Sequence, residues 1–331
     1  MPNQPSPLPA SVLEPARRQV GLVTATQFRD AGVSAKRVRT LVSKEILVRA
    51  APGVYRVPEI INSIDTQANK QRNNLRRRAL LGPLAYGPKA VATGLAALAL
   101  CDVWGVPLDF RPEATIFDGT HRPEIPGIRL RRVPLQSWET RDGIKLVEPW
   151  LALAQAALEV DRVTAVALMD SARNRNLVAD LQFEWAQKAT WHRRGSVGAA
   201  DWWGLSDKRA ESPAETWARL DCLDAGLPPD FLQLEVRNDW GRKLGRVDLA
   251  WKLPDGRWLF GEVDGAAYHS GDRQWSRDVV RQNDLITSRS ILRRWTGAQV
   301  RAGAAAEGVY QVLKQAGWRP SQAGTVRFAE V

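Results

Sequence analysis

The sequence predicts a multidomain protein of the α/β class, in which α+β domains follow one another along the chain. Its 331 residues are too many for one small domain and enough for two or three. Apolar residues make up 44% and charged residues 25%, which is typical of a soluble globular protein. Helical and strand-like patterns occur together in successive blocks of the sequence, and no internal repeat is found. These observations predict domains of mixed secondary structure.

The positive charge is concentrated at the N-terminal end of the chain. The formal net charge is +11, from 47 Lys and Arg against 36 Asp and Glu. Residues 1–85 carry 14 basic and 5 acidic side chains, whereas residues 86–206 carry 14 of each. A positive field confined to one domain indicates that this domain binds a polyanion.

Cysteine use and hydropathy predict a cytoplasmic protein. Cys101 and Cys222 lie far apart and match no zinc spacing, which excludes a disulfide scaffold and indicates a reducing compartment. The opening MPNQPSPLPAS has no apolar core, so no secretory signal is expected. The most apolar run, Ala90 to Cys101, is shorter than the roughly 20 residues needed to span a bilayer and predicts a buried helix. We therefore expect no membrane partner.

The sequence divides into a Pro-rich disordered tail (1–10) and three predicted domains (11–60, 61–206 and 207–331). In the first domain Ser11 is predicted to cap a helix that ends near Gln19. Two short helices follow, over Thr24–Ala31 and Ser34–Lys44. Strand-like residues from Ile46 to Val57 surround Pro52-Gly53, which is a hairpin signal. Three short helices and a hairpin are the components of a winged helix-turn-helix.

The other two domains mix helices and strands. The middle domain opens with a basic helix (Lys70–Leu81) and the Ala90–Cys101 helix, has a strand-rich stretch, and resumes helices at 149–159, 163–171 and 180–189. The last domain is predicted as α-β-β-β-α-β and a final helix. Its elements are helix Ser212–Ala225, strands Phe231–Val236, Arg246–Trp251 and Trp258–Asp264, helix Asp272–Ser288, strand Ser290–Arg294 and helix Ala302–Ala316.

The third N-terminal helix and the hairpin carry the candidate DNA-binding residues. A helix that enters the major groove needs short polar or basic residues near its start, and arginines of a wing contact the flanking phosphates. The helix that follows adds Arg76, Arg77 and Arg78 to this basic block. The alternative is a protein-binding domain with a solvated basic face. The predicted partner is duplex DNA, and no small-molecule substrate is evident. The predicted contacts are Ser34, Lys36, Arg37, Arg39, Thr40, Lys44, Arg49 and Arg56.

Residues 21–57, GLVTATQFRDAGVSAKRVRTLVSKEILVRAAPGVYRV, resemble the N-terminal winged helix of AbiEi-family antitoxins from type IV toxin–antitoxin systems. The shared features are a G-x-V-T entry, A-G-V-S before the recognition helix, and R-x-x-x-G-V-Y-R-V in the wing. The middle domain resembles these proteins more loosely, in DGIKLVEPWLALAQAALEV and AVALMDSARNRNLV. The resemblance implies a transcriptional autorepressor that binds its own promoter and opposes a nucleotidyltransferase-type toxin.

Three carboxylates are predicted to share one sheet face in the last domain. A hairpin turn at Leu253–Arg257 places Asp248 directly opposite Glu262, and Asp264 lies two residues further along the same face. Such carboxylates repel one another unless they take protons or a cation lies among them. Hard divalent ions such as Mg²⁺ (or Mn²⁺) prefer this oxygen site. The alternative is an exposed face of solvated carboxylates, and a register slip of one residue would remove Asp248 from the set.

Residues 211–297 resemble the PD-(D/E)XK nuclease superfamily, in its branch related to very-short-patch-repair endonucleases. This implies a restriction-endonuclease-like fold and Mg²⁺-dependent phosphodiester hydrolysis. The usual Lys two residues after the Glu is Asp264 here, which leaves the general base open, and His269 is the natural substitute. The matching positions are Glu215, Asp248, Glu262, Asp264, Gly265, His269, Arg277, Asp278, Arg281, Leu285 and Arg293.

Two of these residues have a competing structural interpretation. Ser212-Pro213-Ala214-Glu215 matches a capping box with Pro at the first helical position, so Glu215 is a capping residue as readily as a catalytic one. Arg281 would hold phosphate, or pair with Asp278 or Asp284 on its own helix. The sequence thus predicts either a DNA-binding antitoxin with a nuclease-fold domain, or a Mg²⁺-dependent endonuclease in phage defence or DNA repair that is targeted by its winged helix.

Overall fold

A computed structural model describes residues 7–238, 240–264 and 289–319 of the chain. The chain forms two compact units. The first comprises the residues up to Val160 together with Leu177–Ala199, and the second comprises Asp161–Asn176 together with the residues from Ala200 onward. Both units mix helices with strands, in agreement with the predicted α+β class. The three domain boundaries drawn from the sequence stay predictions.

The helices and strands are numbered along the chain. From the N-terminus to the last helix before residue 161 they are α1 (Ala10–Arg18), β1 (Leu22–Thr24), α2 (Ala25–Asp30), α3 (Ala35–Ser43), β2 (Val48–Ala51), β3 (Val54–Arg56), α4 (Pro58–Ile64), α5 (Lys70–Tyr86), β4 (Ala90–Ala92), α6 (Gly94–Leu100), β5 (Glu113–Ile116), β6 (Arg129–Arg131), β7 (Glu139–Arg141), β8 (Ile144–Leu146) and α7 (Pro149–Ala156). They continue with α8 (Arg162–Asn174), α9 (Asp180–Thr190), a 3₁₀ helix (Ala200–Leu205), α10 (Pro213–Asp224), β9 (Phe231–Arg237), β10 (Lys243–Lys252), β11 (Trp258–Asp264), β12 (Ser290–Thr296), α11 (Gly297–Arg301) and α12 (Ala304–Gln315).

Local capping explains where the N-terminal helices begin. The Thr24 hydroxyl accepts the Gln27 N–H and the Gln27 side chain accepts the Thr24 N–H, which is a complete capping box for α2. Ser34 caps α3 by accepting the Arg37 N–H at 3.2 Å. The predicted cap at Ser11 is wrong, because α1 begins at Ala10 with Pro9 before it, so Ser11 lies inside the helix.

The hairpin predicted around Pro52-Gly53 is confirmed as β2 and β3. In the described residues β1 joins it to give the antiparallel order β1-β3-β2. Gly53 has φ +71°, a backbone conformation that glycine adopts without strain. The sequence reasoning missed β1, because three residues are too few to show a period of two. The helices close over this sheet through a core that includes Phe28, Leu41 and Tyr55.

The arginines of α5 hold the first unit together instead of adding to a DNA-binding surface. The Arg77 guanidinium bonds to the Asp65 carboxylate and donates to the Val20 carbonyl at 3.0 Å. Both side chains of the ion pair are more than nine-tenths buried. Arg76 and Arg78 are likewise bonded, to carboxylates and to a backbone carbonyl. The expectation that these arginines extend the basic block is therefore corrected.

The predicted helix Ala90–Cys101 is in fact a strand followed by a helix. Residues 90–92 form β4, which pairs with β5 and β8 inside a sheet of order β6-β5-β4-β8-β7 in the described chain. A buried central strand is apolar on both faces, so its sequence looks like that of a buried helix. The break lies at Gly94, whose φ is +48° and where a Cβ would come within 2.2 Å of the Glu113 carboxylate.

The second unit contains the four strands that the sequence predicts. Its described strands have the order β12-β11-β10-β9, antiparallel from β9 to β11 and parallel between β11 and β12. The predicted β10–β11 register is confirmed: Leu249 pairs with Gly261, and Leu253 donates its N–H to the Arg257 carbonyl at 2.8 Å. The helix predicted at 272–288 lies outside the described residues.

The buried carboxylate of Asp170 bonds helix α8 to helix α10, and both helices belong to the second unit. Asp170 is 1% exposed and accepts hydrogen bonds from Arg219 Nη2 and Thr216 Oγ1 of α10, at 2.8 and 2.9 Å. It also accepts the Asp207 N–H at 2.7 Å. A buried charge needs such partners, so these bonds fix α8 against α10.

None of the helices in the described ranges, 7–238, 240–264 and 289–319, has the length and apolar character needed to cross a bilayer.

We predict that the Arg77–Asp65 pair stabilises the first unit more than an exposed pair on the same helix. Arg77→Ala leaves the Asp65 carboxylate with the Asn73 amide as its remaining side-chain donor and the Val20 carbonyl without the Arg77 donor. It should lower the free energy of unfolding by about 3 kcal/mol. Arg72→Ala is the matched control, because Arg72 is 62% exposed and pairs with Asp102 at the surface. Its loss should stay below about 1 kcal/mol. Urea unfolding of the full chain measures both, and equal losses would contradict the prediction.

Candidate functional site

The outward face of α3 is polar and basic. Lys36, Arg39, Thr40 and Ser43 are exposed and follow one another at helical spacing, whereas Val38 and Leu41 on the opposite face are buried. Burial of one apolar stripe thus determines which side chains the helix presents. The basic residues on this face come from the predicted DNA-binding set.

Four of the predicted DNA-binding cations are exposed and have no carboxylate partner in the described part of the chain. They are Lys36 and Arg39 on α3, and Arg49 and Arg56 on the β2–β3 hairpin. Cations without a carboxylate keep their full charge for an external anion. This separates them from Arg76 and Arg77 of α5, whose charges are paired with carboxylates within the fold.

The other predicted DNA-binding residues on α3 have local bonds. Ser34 is the N-terminal cap of α3, and the Thr40 hydroxyl donates to the Lys36 carbonyl at 3.1 Å. Arg37 is half-buried and its Nη2 donates to the Pro7 carbonyl at 3.0 Å. Lys44 is exposed and is the C-terminal cap residue of α3.

The hairpin arginines lie on opposite faces of their sheet. Val48 pairs with Arg56 and Arg49 pairs with Tyr55, and paired residues share a face. Arg49 and Arg56 therefore cannot contact one flat surface together. Each is expected to bind a different part of an anionic partner.

The second cluster begins with Glu215 at the start of α10. The Ser212 hydroxyl accepts the Glu215 N–H at 3.2 Å, so the predicted helix cap is present. The Glu215 carboxylate does not complete a capping box, because it accepts the Glu211 N–H at 2.8 Å. The side chain is thereby turned toward β9 and β10.

Gln233 on β9 connects Glu215 to Asp248. Its Nε2 donates to Glu215 Oε2 at 2.8 Å and lies 3.3 Å from Asp248 Oδ1. Gln233 has φ +52°, a conformation that L-residues rarely adopt, and its Oε1 is buried without a partner in the described chain. The sequence analysis missed this residue. Gln233 could be recognised only from the β9–β10 register, in which position 233 faces position 248. Because the sequence analysis assigned no turn between these two strands, it could not set that register.

Asp248 lies where the β10–β11 ladder ends. The last pair toward this end is Leu249 with Gly261, and the Asp248 carboxylate accepts the Val263 N–H at 2.8 Å. A side-chain acceptor thus replaces the next backbone partner. Continued by one residue, the β10–β11 register would place Asp248 opposite Glu262, so this pairing stays a prediction.

Glu262 and Asp264 share a guanidinium from β12. Arg294 faces Glu262 in the parallel register, with its Nε 3.7 Å from Glu262 Oε2 and its Nη2 2.5 Å from Asp264 Oδ1. The sequence analysis named the neighbouring Arg293, which is exposed. The run Ile-Leu-Arg-Arg-Trp contains both arginines, and only the strand register shows which of them faces the carboxylates.

The electrostatics of this cluster raise the pKa of one carboxyl group to near neutral pH. Burial raises the pKa of Glu215 to about 7, and the negative charge of Asp248 contributes in the same direction. Hydrogen bonds from Glu211 and Gln233 oppose the rise without cancelling it. A carboxyl group that titrates near pH 7 can accept or release a proton under ordinary conditions.

The described residues of this cluster have the donor atoms that a divalent metal prefers, but not the arrangement that would hold one. Carboxylate oxygens are the donors that Mg²⁺ prefers, but no group of three or more His, Cys, Asp or Glu side chains within residues 7–238, 240–264 and 289–319 is placed to hold an ion. Asp248 is turned to a backbone N–H and Asp264 to Arg294. His269 and Arg281 lie outside the described residues. The metal site formed by Asp248, Glu262 and Asp264 stays a prediction.

We predict that protonation of Glu215 makes stability depend on pH. Because the folded pKa of about 7 exceeds the ordinary value of 4.5, the folded state keeps a proton that the unfolded state releases. Stability should therefore fall as the pH rises from about 4.5 to 7, by at most about 3 kcal/mol. In Glu215→Gln this slope should be lost, as measured by thermal unfolding between these pH values.

Glu307→Gln is the control for this titration, since Glu307 lies on α12 and its carboxylate accepts a hydrogen bond from Gln311. It should keep the slope of the wild type. An unchanged slope in Glu215→Gln would show that Glu215 does not titrate in this range.

Comparisons with known proteins support the N-terminal assignment. Residues 11–58 match the family model described as "Transcriptional regulator, AbiEi antitoxin". Two uncharacterized proteins of Mycobacterium tuberculosis, from strains CDC 1551 / Oshkosh and ATCC 25618 / H37Rv, are each 32% identical over 165 residues, which is 47% of this chain. The alignment spans about three fifths (59%) of the length of these relatives. The match confirms the resemblance over residues 11–58 and supports a transcriptional-regulator or antitoxin role, whereas the nuclease resemblance of the second unit stays a prediction.

Proposed function

We propose that the protein is a DNA-binding transcriptional regulator of the antitoxin type. The observation that carries the proposal is the set of exposed cations without carboxylate partners on α3 and the β2–β3 hairpin. This set lies within the residues that match the antitoxin family model. Charge and family match thus indicate the same surface.

In this proposal residues 11–58 form a winged helix-turn-helix. Helix α3 enters the major groove, where Lys36 and Arg39 bind phosphates and base edges. Arg49 and Arg56, on opposite faces of the hairpin, each bind one flanking phosphate. The buried core beneath α3 holds these side chains in a fixed register against the duplex.

The finer parts of the proposal follow from the antitoxin match. The bound DNA is the promoter of the protein's own operon, so the protein represses its own transcription. Its protein partner is a nucleotidyltransferase-type toxin. These assignments are supported by the family match at residues 11–58 and not by a separate feature of the fold.

We predict that Lys36→Ala with Arg39→Ala weakens DNA binding and reduces its salt dependence. Each phosphate contact contributes about 1 to the slope of log K against log salt. The double variant should therefore lose about 2 from this slope on the duplex upstream of its own gene. Fluorescence anisotropy at several salt concentrations measures the slope.

Arg18→Ala is the matched control, because Arg18 is an exposed arginine of α1 that pairs with Glu14. It should bind DNA like the wild type. An unchanged slope in the double variant would contradict the proposed role of α3.

A second candidate function is metal-dependent hydrolysis of a phosphodiester at the carboxylate cluster. The observation that favours it is the contact network of Glu215, Gln233 and Asp248, with a carboxyl pKa raised to about 7. The residues of this chain would then hold a proton at Glu215 and bind a phosphate at Arg294. A Mg²⁺ or Mn²⁺ ion held by Asp248, Glu262 and Asp264 would supply an activated water. This requires Asp264 to leave its present contact with Arg294.

We predict that Glu262→Gln lowers the affinity for Mn²⁺ at least about tenfold without unfolding the protein, because an amide oxygen carries no net charge. Calorimetric titration measures the affinity, and Glu307→Gln should match the wild type. Plasmid nicking that requires Mn²⁺ and is lost in Glu262→Gln would establish the enzyme. Equal Mn²⁺ uptake by wild type and Glu262→Gln would remove the metal site.

A further inference from the structure

A pocket of about 420 Å³ in the first unit has arginines at three of its six lining positions. Its walls come from β6, from the residues that follow α7, and from the loop after α9. Pockets of this size accommodate small ligands. The lining residues are Arg129, Leu158, Glu159, Arg193, Arg194 and Gly195.

The one carboxylate among the lining residues already accepts hydrogen bonds from two arginines. Glu159 accepts two hydrogen bonds from Arg131, at 2.9 and 2.6 Å, and one from Arg129 at 2.7 Å. Burial alone would raise the pKa of Glu159, but the hydrogen bonds and charges of Arg131 and Arg129 lower it below its ordinary value. Glu159 is therefore ionised, and its two oxygens already accept three hydrogen bonds from Arg129 and Arg131.

Arg193 is a half-buried cation without a carboxylate. Its Nη1 donates to the Ala154 carbonyl at 2.8 Å, and it forms no ion pair with any residue of the described ranges. Burial lowers the pKa of Arg193, and the nearby positive charges of Arg131 and Arg129 lower it further, whereas the Glu159 carboxylate raises it without cancelling the effect. A guanidinium in such a position is stabilised by any anion that binds beside it.

The charges around the pocket leave an excess of two positive charges. Arg131, behind the pocket wall, pairs with Glu113 as well as Glu159. The four arginines at positions 129, 131, 193 and 194 are thus opposed by these two carboxylates. Arg194 is exposed and, like Arg193, has no ion pair in the described chain. A phosphate monoester carries close to two negative charges at neutral pH and a phosphodiester of a nucleic-acid backbone carries one, so the positive charge of the pocket suffices for either.

We propose that this pocket binds a phosphate group, which Arg193 and Arg194 hold through charge-assisted hydrogen bonds. Planar guanidinium groups with parallel donors match phosphate oxygens, so arginine suits this ligand better than a point charge does. The phosphate comes either from a free mononucleotide or from a nucleic-acid backbone. The site lies on β6 and the loop after α9, so it is separate from the α3 face and from the carboxylate cluster.

The test is a calorimetric titration of the full chain with inorganic phosphate in a chloride buffer. The wild type should show saturable binding, and Arg193→Gln should weaken it about tenfold or more, since the amide carries no charge. Arg194→Gln, at an exposed position where folding is not at risk, should weaken it similarly. Arg18→Gln, a distant exposed arginine, should bind like the wild type.

Competition then identifies the source of the phosphate. Displacement of inorganic phosphate by a nucleoside monophosphate indicates a mononucleotide site, and displacement by a duplex oligonucleotide alone indicates a backbone contact. Absence of saturable binding by the wild type up to about 10 mM phosphate, or equal affinities in both pocket variants and in Arg18→Gln, would overturn the proposal. The DNA-binding proposal is tested on α3 variants, so the two can fail separately.

Discussion

The fold of this protein depends on how its arginines are neutralised. A guanidinium cannot lose its proton under ordinary conditions, so each arginine that the fold buries needs a carboxylate or several acceptors beside it. The Asp65 carboxylate forms an ion pair with Arg77, and the Glu113 and Glu159 carboxylates form ion pairs with Arg131. Asp170 serves Arg219 and joins α8 to α10. In the DNA-binding proposal, the exposed cations of α3 and the β2–β3 hairpin, which have no carboxylate partner in the described chain, bind the external anion.

This division distinguishes basic segments that look alike in sequence. The Arg-Arg-Arg run of α5 and the Lys-Arg-Val-Arg start of α3 both predict a cationic surface. In the folded protein the arginines of the α5 run bind the Asp65, Asp102 and Asp142 carboxylates and backbone carbonyls. The second keeps Lys36 and Arg39 exposed. Net charge predicts a polyanion-binding domain, and the ion-pair pattern is the reason why we propose α3 and not α5 as its DNA-binding helix.

Much of the fold could be predicted from local sequence signals. The helices that start near Thr24 and Ser34, the turn at Pro52-Gly53 and the turn at Leu253–Arg257 could be predicted because each depends on a few neighbouring residues. Two kinds of feature were not. Strand β4 is apolar on both faces and so resembles a helix in sequence, and Gln233 and Arg294 reach the carboxylates through strand pairings between distant residues. Contacts of that kind depend on tertiary register, which no local pattern encodes.

The placement of α8 has a consequence for how this protein could have been assembled during evolution. The chain leaves the first compact unit after Val160, contributes residues 161–176 to the second, returns for residues 177–199 and leaves again. A gene fusion or truncation near residue 206 would separate the Asp170 carboxylate from Arg219 and Thr216, its partners on α10. Neither unit can be exchanged between proteins as one contiguous segment.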